Sequence, residues 1–154
     1  MPKKKDQQKT KVEVATDPRI KKILDEVRVE YSIDADGDFN LIMKIDDEGR
    51  TQVGCIYSNT FELFGNEMRT LTSVGLVTEK GPFSERVANL LLQANGAINL
   101  GAWQAAQLPD GTSIASYAAY VPADAESNVL MNAFIAVLRM ADAVESDVSG
   151  NDNF

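Results

Sequence analysis

The residues with the clearest potential for chemistry are four oxygen-bearing side chains at alternate positions. They are Asp34, Asp36, Asp38 and Asn40. Oxygen ligands at alternate positions also open the calcium-binding loop of EF-hand proteins. Counted from Asp34, however, position six holds Phe39 where that loop needs glycine, and position twelve holds Ile45 where it needs glutamate. The pattern therefore predicts an aspartate-rich turn, and we expect no metal site.

Nucleophilic and proton-transfer chemistry has few candidate groups in this chain. The sequence contains no histidine and a single cysteine, Cys55, which lies between Gly54 and Ile56 in a segment that favours a strand. A reactive thiol needs a neighbouring cation or imidazole to lower its pKa. We therefore expect Cys55 to be a buried or half-buried, unreactive thiol, and we expect no catalytic residue.

Paired carboxylates are the remaining route to catalysis. Glycoside hydrolysis uses two Asp or Glu side chains that face each other across a cleft. The adjacent acids Asp46, Asp47 and Glu48 precede Gly49 and predict a solvated turn. A hydrolase that uses carboxylates alone stays as a third hypothesis, and it requires two such groups in one concave pocket. The scattered glycines lack phosphate-loop or dinucleotide spacing, so no cofactor is predicted.

Composition and charge favour one acidic domain. The chain has 154 residues and 44% hydrophobic content, which is enough for a core. Five of its 15 basic residues lie in the first eleven positions, so the remainder carries ten basic and 22 acidic residues. We expect a disordered lysine-rich leader at 1–16, a single domain at 17–148 and a disordered tail at 149–154. An acidic body repels phosphate backbones, so direct nucleic-acid binding by the folded domain is not expected.

The predicted compartment is the cytoplasm. One cysteine cannot form an internal disulfide, and the lysine-rich N-terminus lacks the apolar run of a secretory signal. The longest nearly unbroken apolar run, Val129 to Ala141, has 13 residues. A membrane-spanning helix needs roughly 20. We therefore expect no membrane segment.

Helical spacing of apolar residues marks the first two helices. Asp17 and Pro18 supply an N-cap and a first-turn proline, and they predict a helix from Pro18 to Tyr31. A second helix is predicted from Phe83 to Gly96. We expect it to end with Gly96 in the left-handed conformation.

Alternating patterns and turn residues mark the strands. Pro109, Asp110 and Gly111 supply the turn chemistry that joins two antiparallel strands. The predicted strands span 39–45, 51–58, 68–77, 97–107 and 112–121, with a turn at 46–49 and an ambiguous segment at 59–64. With a closing helix from Val129 to Glu145, the order is α-β-β-β-α-β-β-α. This order predicts an α+β fold in which an antiparallel sheet of about five strands packs with three helices.

Two apolar groups need more cover than one core supplies. Tyr117 and Tyr120 lie three positions apart in a strand and therefore point to opposite faces of the hairpin that also holds Trp103. One face is expected to pack in the core and the other to meet a second subunit or a client. The closing helix carries apolar residues around most of its circumference, so it too requires a second surface. The candidate partner or dimer residues are Trp103, Tyr117, Tyr120, Leu130, Met131, Phe134 and Leu138.

A resemblance rests on the segment between the second helix and the hairpin and on the end of the closing helix. Its residues are Asn95, Gly96, Ile98, Leu100, Gly101, Ala102, Trp103, Asp110, Gly111, Ala141, Asp142, Ala143 and Val144. With the element order, they make residues 17–148 resemble the YbjN-like family of bacterial sensory transduction regulators, whose fold is similar to that of type III secretion chaperones. The lysine-rich leader and the aspartate-rich entry to the first strand depart from that family. The resemblance implies a small acidic protein, commonly a homodimer, that holds partner segments and catalyses nothing.

These observations predict a non-catalytic protein-binding module, chaperone-like or regulatory, that acts as a homodimer. An acidic surface favours partners with basic surfaces, including nucleic-acid-binding proteins. The alternative is a small-molecule-sensing regulatory domain whose ligand lies between the helices and the sheet.

Overall fold

The computed structural model describes residues 14–47 and 49–149. Within them the chain forms three helices and six strands. In chain order these are α1 (Pro18–Val27), β1 (Ser32–Ile33), β2 (Phe39–Lys44), β3 (Thr51–Leu63), β4 (Asn66–Thr78), α2 (Glu85–Gly96), β5 (Ala102–Gln107), β6 (Ser113–Pro122) and α3 (Ser127–Ser149). The strands form one antiparallel sheet in the order β1-β2-β3-β4-β6-β5.

The predicted α+β class, antiparallel sheet and three helices are confirmed, but the strand count of five is wrong. The sixth strand, β1, has only two residues, and Ser32 and Ile33 pair with Asn40 and Phe39 of β2. It arises because α1 ends sooner than the apolar spacing predicts. Arg28 adopts a left-handed conformation (φ 57°) and caps the helix. Tyr31 therefore leaves the helix, and its ring lies 5.2 Å from the ring of Phe39.

Several further boundaries differ from the expectation. The strand predicted at 97–107 begins only at Ala102, and α3 is longer at both ends than predicted. The ambiguous segment 59–64 mostly extends β3, which continues to Leu63 after an irregularity between Ile56 and Thr60. Gly96 is the last residue of α2 and has no positive φ; the left-handed glycine is instead Gly101 (φ 77°). A Cβ at Gly101 would collide with the carbonyl oxygen of Ala118, which explains why glycine is required there. Residues 1–13 of the predicted leader and 150–154 of the predicted tail lie outside the described residues.

The helices and one face of the sheet share a single buried cluster. α3 lies across β3, β4 and β6 with a buried stripe at helical spacing. Two glycines in the strands beneath it allow this close approach. A Cβ on Gly54 would lie 2.6 Å from Leu138 Cδ2 and 2.7 Å from Phe134 Cζ. A Cβ on Gly75 would lie 3.1 Å from the carbonyl oxygen of Ala141 in α3 and 2.5 Å from the ring of Trp103 in β5. The core packing of the closing helix therefore depends on small residues in β3 and β4.

The span Ser127–Val148 of α3 is long and apolar enough to cross a membrane by length and composition. In this fold its buried stripe packs on the sheet, as the core helix of a globular domain does. The expectation of no membrane segment was drawn from the shorter run Val129 to Ala141, and it stays a prediction.

Candidate functional site

The sheet has a second face, called here the open face, on which large apolar side chains remain exposed. Strand register and alternation assign it the side chains that point away from the buried cluster. Its exposed apolar members are Ile42, Val53, Tyr57, Phe61, Val74, Val77 and Tyr120. Exposed apolar side chains clustered on one surface are typical of a binding site.

Charged side chains are missing from the open face of β3, β4, β5 and β6. These four strands contain only Glu62, Glu67 and Arg69 as charged residues. Glu67 and Arg69 bond to Arg19 and Asp17 at the N-terminus of α1, on the helix side of the sheet. Glu62 pairs directly with Glu67 and so points the same way. Because charged residues make up 25% of the chain, the lack of charged side chains from these four strands is a specific feature of the open face. At β3 the carboxylates of Asp34 and Asp38, from the turn before β2, lie beside Cys55.

Aromatic side chains are packed at one end of the open face. The ring of Tyr120 meets that of Phe61 edge to face, with centroids 5.3 Å apart. Gln104 Nε2 donates a hydrogen bond of 3.0 Å to Tyr120 Oη, which fixes the tyrosine across the β5–β6 boundary. Small side chains occupy the middle of the face, where Cys55, Thr72, Ala118 and Ala102 form a row across four neighbouring strands.

Five of the seven predicted surface residues lie in the interior of the single chain. Trp103, Tyr117, Leu130, Phe134 and Leu138 belong to the buried cluster, and the rings of Trp103 and Tyr117 meet edge to face at 5.6 Å. These five side chains therefore pack within the chain's own core. Met131 is half-buried on α3. Tyr120 is 45% exposed and lies on the open face, opposite to Tyr117 as the spacing predicts.

Sequence reasoning missed the aliphatic part of the open face. Ile42, Val53, Val74 and Val77 were assigned to strands but not to a surface. In β3, Val53 and Cys55 alternate with Gln52 and Gly54, and neither set contains a charged residue. This lack of charge on both faces of the strand was the sequence signal for the open face. Glycine and glutamine do not look like core positions, so alternation alone did not show which set faces the helices.

The aspartate-rich segment forms a turn, as predicted. Asp34 Oδ1 accepts hydrogen bonds of 3.0 Å from the backbone N–H groups of Asp36 and Asp38, and Oδ2 accepts one from Asn40 Nδ2. Ligand atoms of Asp34, Asp38 and Cys55 lie within 4.8 Å of one another, a spacing that suits a cation. However, both oxygens of Asp34 already hold the turn, and a thiol ligand must first lose its proton.

Cys55 is half-buried and its proton is held tightly. Burial raises the pKa of its thiol to about 12, and the negative charges of Asp38 and Asp34 add to the effect. A nucleophilic thiol requires the opposite shift. The geometry thus agrees with the prediction of an unreactive thiol in a strand.

A separate groove of about 500 Å³ lies between the segment after α2 and the side of α3. Its walls are almost entirely apolar, and they comprise Ala94, Ala97, Ile98, Asn99, Leu100, Tyr117, Ala136 and Met140. The hydroxyl of Tyr117, like the indole nitrogen of Trp103, is buried without a hydrogen-bond partner in the described part of the chain. Such unpaired polar atoms are uncommon in native interiors.

A scan of the chain against protein-family models finds no match, and a search of curated proteins finds none either. The functional argument therefore rests on the residues of this chain. The resemblance to the YbjN-like family is carried by the residues of the sequence alone.

Proposed function

We propose that this protein is a non-catalytic, cytoplasmic protein-binding module of the YbjN-like, type III secretion chaperone-like class, acting as a homodimer. The observation that carries the proposal is the open face, which combines exposed aliphatic and aromatic side chains and to which β3, β4, β6 and β5 contribute no charged side chain. Depletion of charge and enrichment in aromatic residues distinguish the cores of protein–protein interfaces from ordinary surface.

The chemistry of the open face argues against other classes of ligand. Nucleic-acid binding needs several cations aligned with phosphates. On this face only Lys44, at the corner formed by β2, carries a positive charge among the described residues. Small molecules prefer enclosed, mostly apolar pockets, whereas the opening of about 460 Å³ on this face, beside Val53 and Val74, is open to solvent and partly polar. A broad apolar surface is best covered by another protein.

The remaining surface favours a client with basic groups. Outside the first eleven residues, acidic residues outnumber basic ones by 22 to ten. A surface of one sign raises the rate of association with an oppositely charged partner. Nucleic-acid-binding proteins are one such class, and the acidic module would compete with nucleic acid for their basic surfaces.

The test is an affinity pull-down from native extract, with the mass of the purified protein measured by light scattering in the same buffer. We expect a dimer and a stoichiometric protein partner whose affinity, measured by calorimetry, falls as salt rises. A monomer that recovers no specific partner contradicts the proposal.

A small-molecule-sensing function is the second candidate, and the groove beside Tyr117 favours it. A ligand with an apolar body and one hydrogen-bonding group would fill the groove and, if the fold adjusts, satisfy the buried hydroxyl. A thermal-shift screen with metabolites tests this, because a ligand at 100 times its Kd stabilises by about 2.7 kcal/mol. Ala136→Leu, which narrows the groove, should abolish the shift, while Val129→Leu on the exposed side of α3 should keep it.

A further inference from the structure

We infer that the open face is the seam on which a second copy of this chain packs, sheet against sheet. The inference deepens the proposed function, since it assigns the homodimer to one surface and leaves the acidic remainder for the client. Two sheets would then meet in the middle of the dimer, with the helices of each copy on the outside.

The size of the open face matches what a stable dimer needs. Neighbouring strands lie about 4.8 Å apart and each residue adds about 3.3 Å, so β3, β4, β6 and β5 present a face of roughly 670 Å². Stable protein–protein interfaces bury about 800 Å² on each partner. Two twisted sheets also have a favoured geometry for this contact, about 10 Å apart with their strands inclined by about 30°.

Charge selects a second copy over a basic client. The chain carries a net charge of -8, so two copies repel each other wherever charged surfaces approach. On β4, β6 and β5 the open face has no charged side chain, whereas at β3 the carboxylates of Asp34 and Asp38 lie within 4.8 Å of the Cys55 thiol. Two copies that meet over β4, β6 and β5 therefore bury no charge there. A basic client placed over β4, β6 and β5 would bury cations where these strands offer no carboxylate to pair with, which is costly. The face thus suits a copy of itself better than the client that the acidic body attracts.

The shape of the open face supports the same occupant. A two-fold contact brings one patch against an identical patch. The small side chains of Cys55, Thr72 and Ala118 cross the middle of the face, where they let two backbones approach. The larger rings of Phe61 and Tyr120 lie towards one end, where they reach beyond the middle row.

Matched valine substitutions test the seam. Val74 on the open face is 44% exposed and Val129 on α3 is 47% exposed, so Val74→Glu and Val129→Glu add the same charge at equal exposure. We expect Val74→Glu to weaken dimerisation by about 30-fold or more, since hot-spot changes reach that size, and Val129→Glu to leave it unchanged. Val53→Glu, at 52% exposure, is a second open-face variant and should behave like Val74→Glu. Sedimentation equilibrium gives the dimer constant, and circular dichroism verifies that each variant is folded.

Several outcomes would overturn the seam. It is lost if the wild-type chain sediments as a monomer, or if folded Val74→Glu and Val53→Glu dimerise as the wild type does. If the glutamate variants unfold, Val74→Thr and Val53→Thr serve instead, and unchanged dimerisation in both has the same meaning. If the open-face variants remain dimers but lose the client, the face belongs to the client and the inference is wrong. A monomer that still binds its client would remove the seam and keep the protein-binding function.

Discussion

Arg69 and Asp17, 52 positions apart in the sequence, form a buried ion pair in which Nη2 lies 2.7 Å from Oδ2. Arg69 is 1% exposed and is among the largest fully buried side chains in the described part of the chain. Its other nitrogen, Nη1, donates a 2.6 Å hydrogen bond to the carbonyl oxygen of Tyr57. The guanidinium therefore connects the start of α1 to β4 and to the irregular part of β3.

Replacing Arg69 tests how much this connection contributes to the free energy of unfolding. Arg69→Met keeps much of the apolar volume but leaves the Asp17 carboxylate and the Tyr57 carbonyl without their buried donor. Removing one partner of a buried ion pair costs about 3–5 kcal/mol. Because Arg19 still bonds to Asp17, we expect the lower end of that range in urea unfolding. The control Arg139→Met, on the exposed side of α3, should change stability by at most about 0.5 kcal/mol, and equal stability of the two variants would refute the assignment.

Acidic pH should reduce the stability that the ion pairs of Asp17 and Glu67 provide. Burial opposes ionisation of Asp17, but hydrogen bonds from Arg19 and Arg69 outweigh it and hold its pKa well below the usual range. Hydrogen bonds from Arg19 and Thr60 lower the pKa of Glu67 to about 2. A carboxyl whose folded pKa is depressed stabilises the protein above its unfolded pKa, and that stability is lost as pH falls through the folded value.

We therefore expect the free energy of unfolding to fall from about pH 4.5, the ordinary value for Glu67, towards pH 2 and below. Asp17→Asn keeps an N-cap side chain but not the charge, so it isolates the electrostatic part. Urea unfolding measured from pH 7 down to pH 2 should show that Asp17→Asn is less stable than the wild type at pH 7 and loses less stability in acid. An unchanged pH profile in Asp17→Asn would count against the pair.

The turn and the helix cap that the sequence predicted correctly are formed by residues close together in the chain. The Asp110–Gly111 turn is formed as expected, with Gly111 at φ 88° and the Leu108 N–H bonded to the Thr112 carbonyl. Asp17 caps α1 by accepting the Arg19 N–H at 2.8 Å. In these cases residues within four positions of one another supply the whole reason for the geometry, so no tertiary information was needed.

The features that the sequence did not predict depend on contacts between residues far apart in the chain. The apolar spacing of α1 runs on to Tyr31, but the helix ends when Arg28 turns left-handed, a conformation without a sequence signal in a non-glycine residue. Arg69 looks like a surface residue until its partner Asp17, on another element, is known. The open face has the same origin, because alternation separates two faces of a strand but does not show which one the helices cover.

Two glycines, one crowded by α3 and one with free space around it, make a matched test of the contact between α3 and the sheet. Gly54→Ala places a methyl group within 3 Å of Phe134 and Leu138, so we expect a loss of about 1–3 kcal/mol from overpacking. Gly96→Ala meets no atom within 4 Å in a helical residue, so we expect a gain of about 0.5–1 kcal/mol. Urea unfolding of both variants gives the two signs, and a Gly54→Ala variant as stable as the wild type would show that α3 does not press on β3.

Asn95 covers the outer edge of the sheet at one residue of β5, Trp103. Its Oδ1 accepts the Trp103 N–H at 2.6 Å and its Nδ2 donates to the Trp103 carbonyl at 3.3 Å, so the side chain takes the place of a neighbouring strand beside β5. Asn95 is also one of the residues that carry the YbjN-like resemblance, and this gives that residue a physical role.

Asn95→Ala should leave the backbone of Trp103 unpaired at a sheet edge. We expect a loss of about 1–2 kcal/mol, since an unsatisfied group costs about 1–3 kcal/mol and alanine regains a few tenths through helix propensity. An uncovered edge also templates pairing with other chains, so light scattering should detect association that the wild type lacks. Gln93→Ala, exposed on the same helix, is the control and should do neither. If Asn95→Ala unfolds and scatters like Gln93→Ala, the edge of β5 is protected by something other than this side chain.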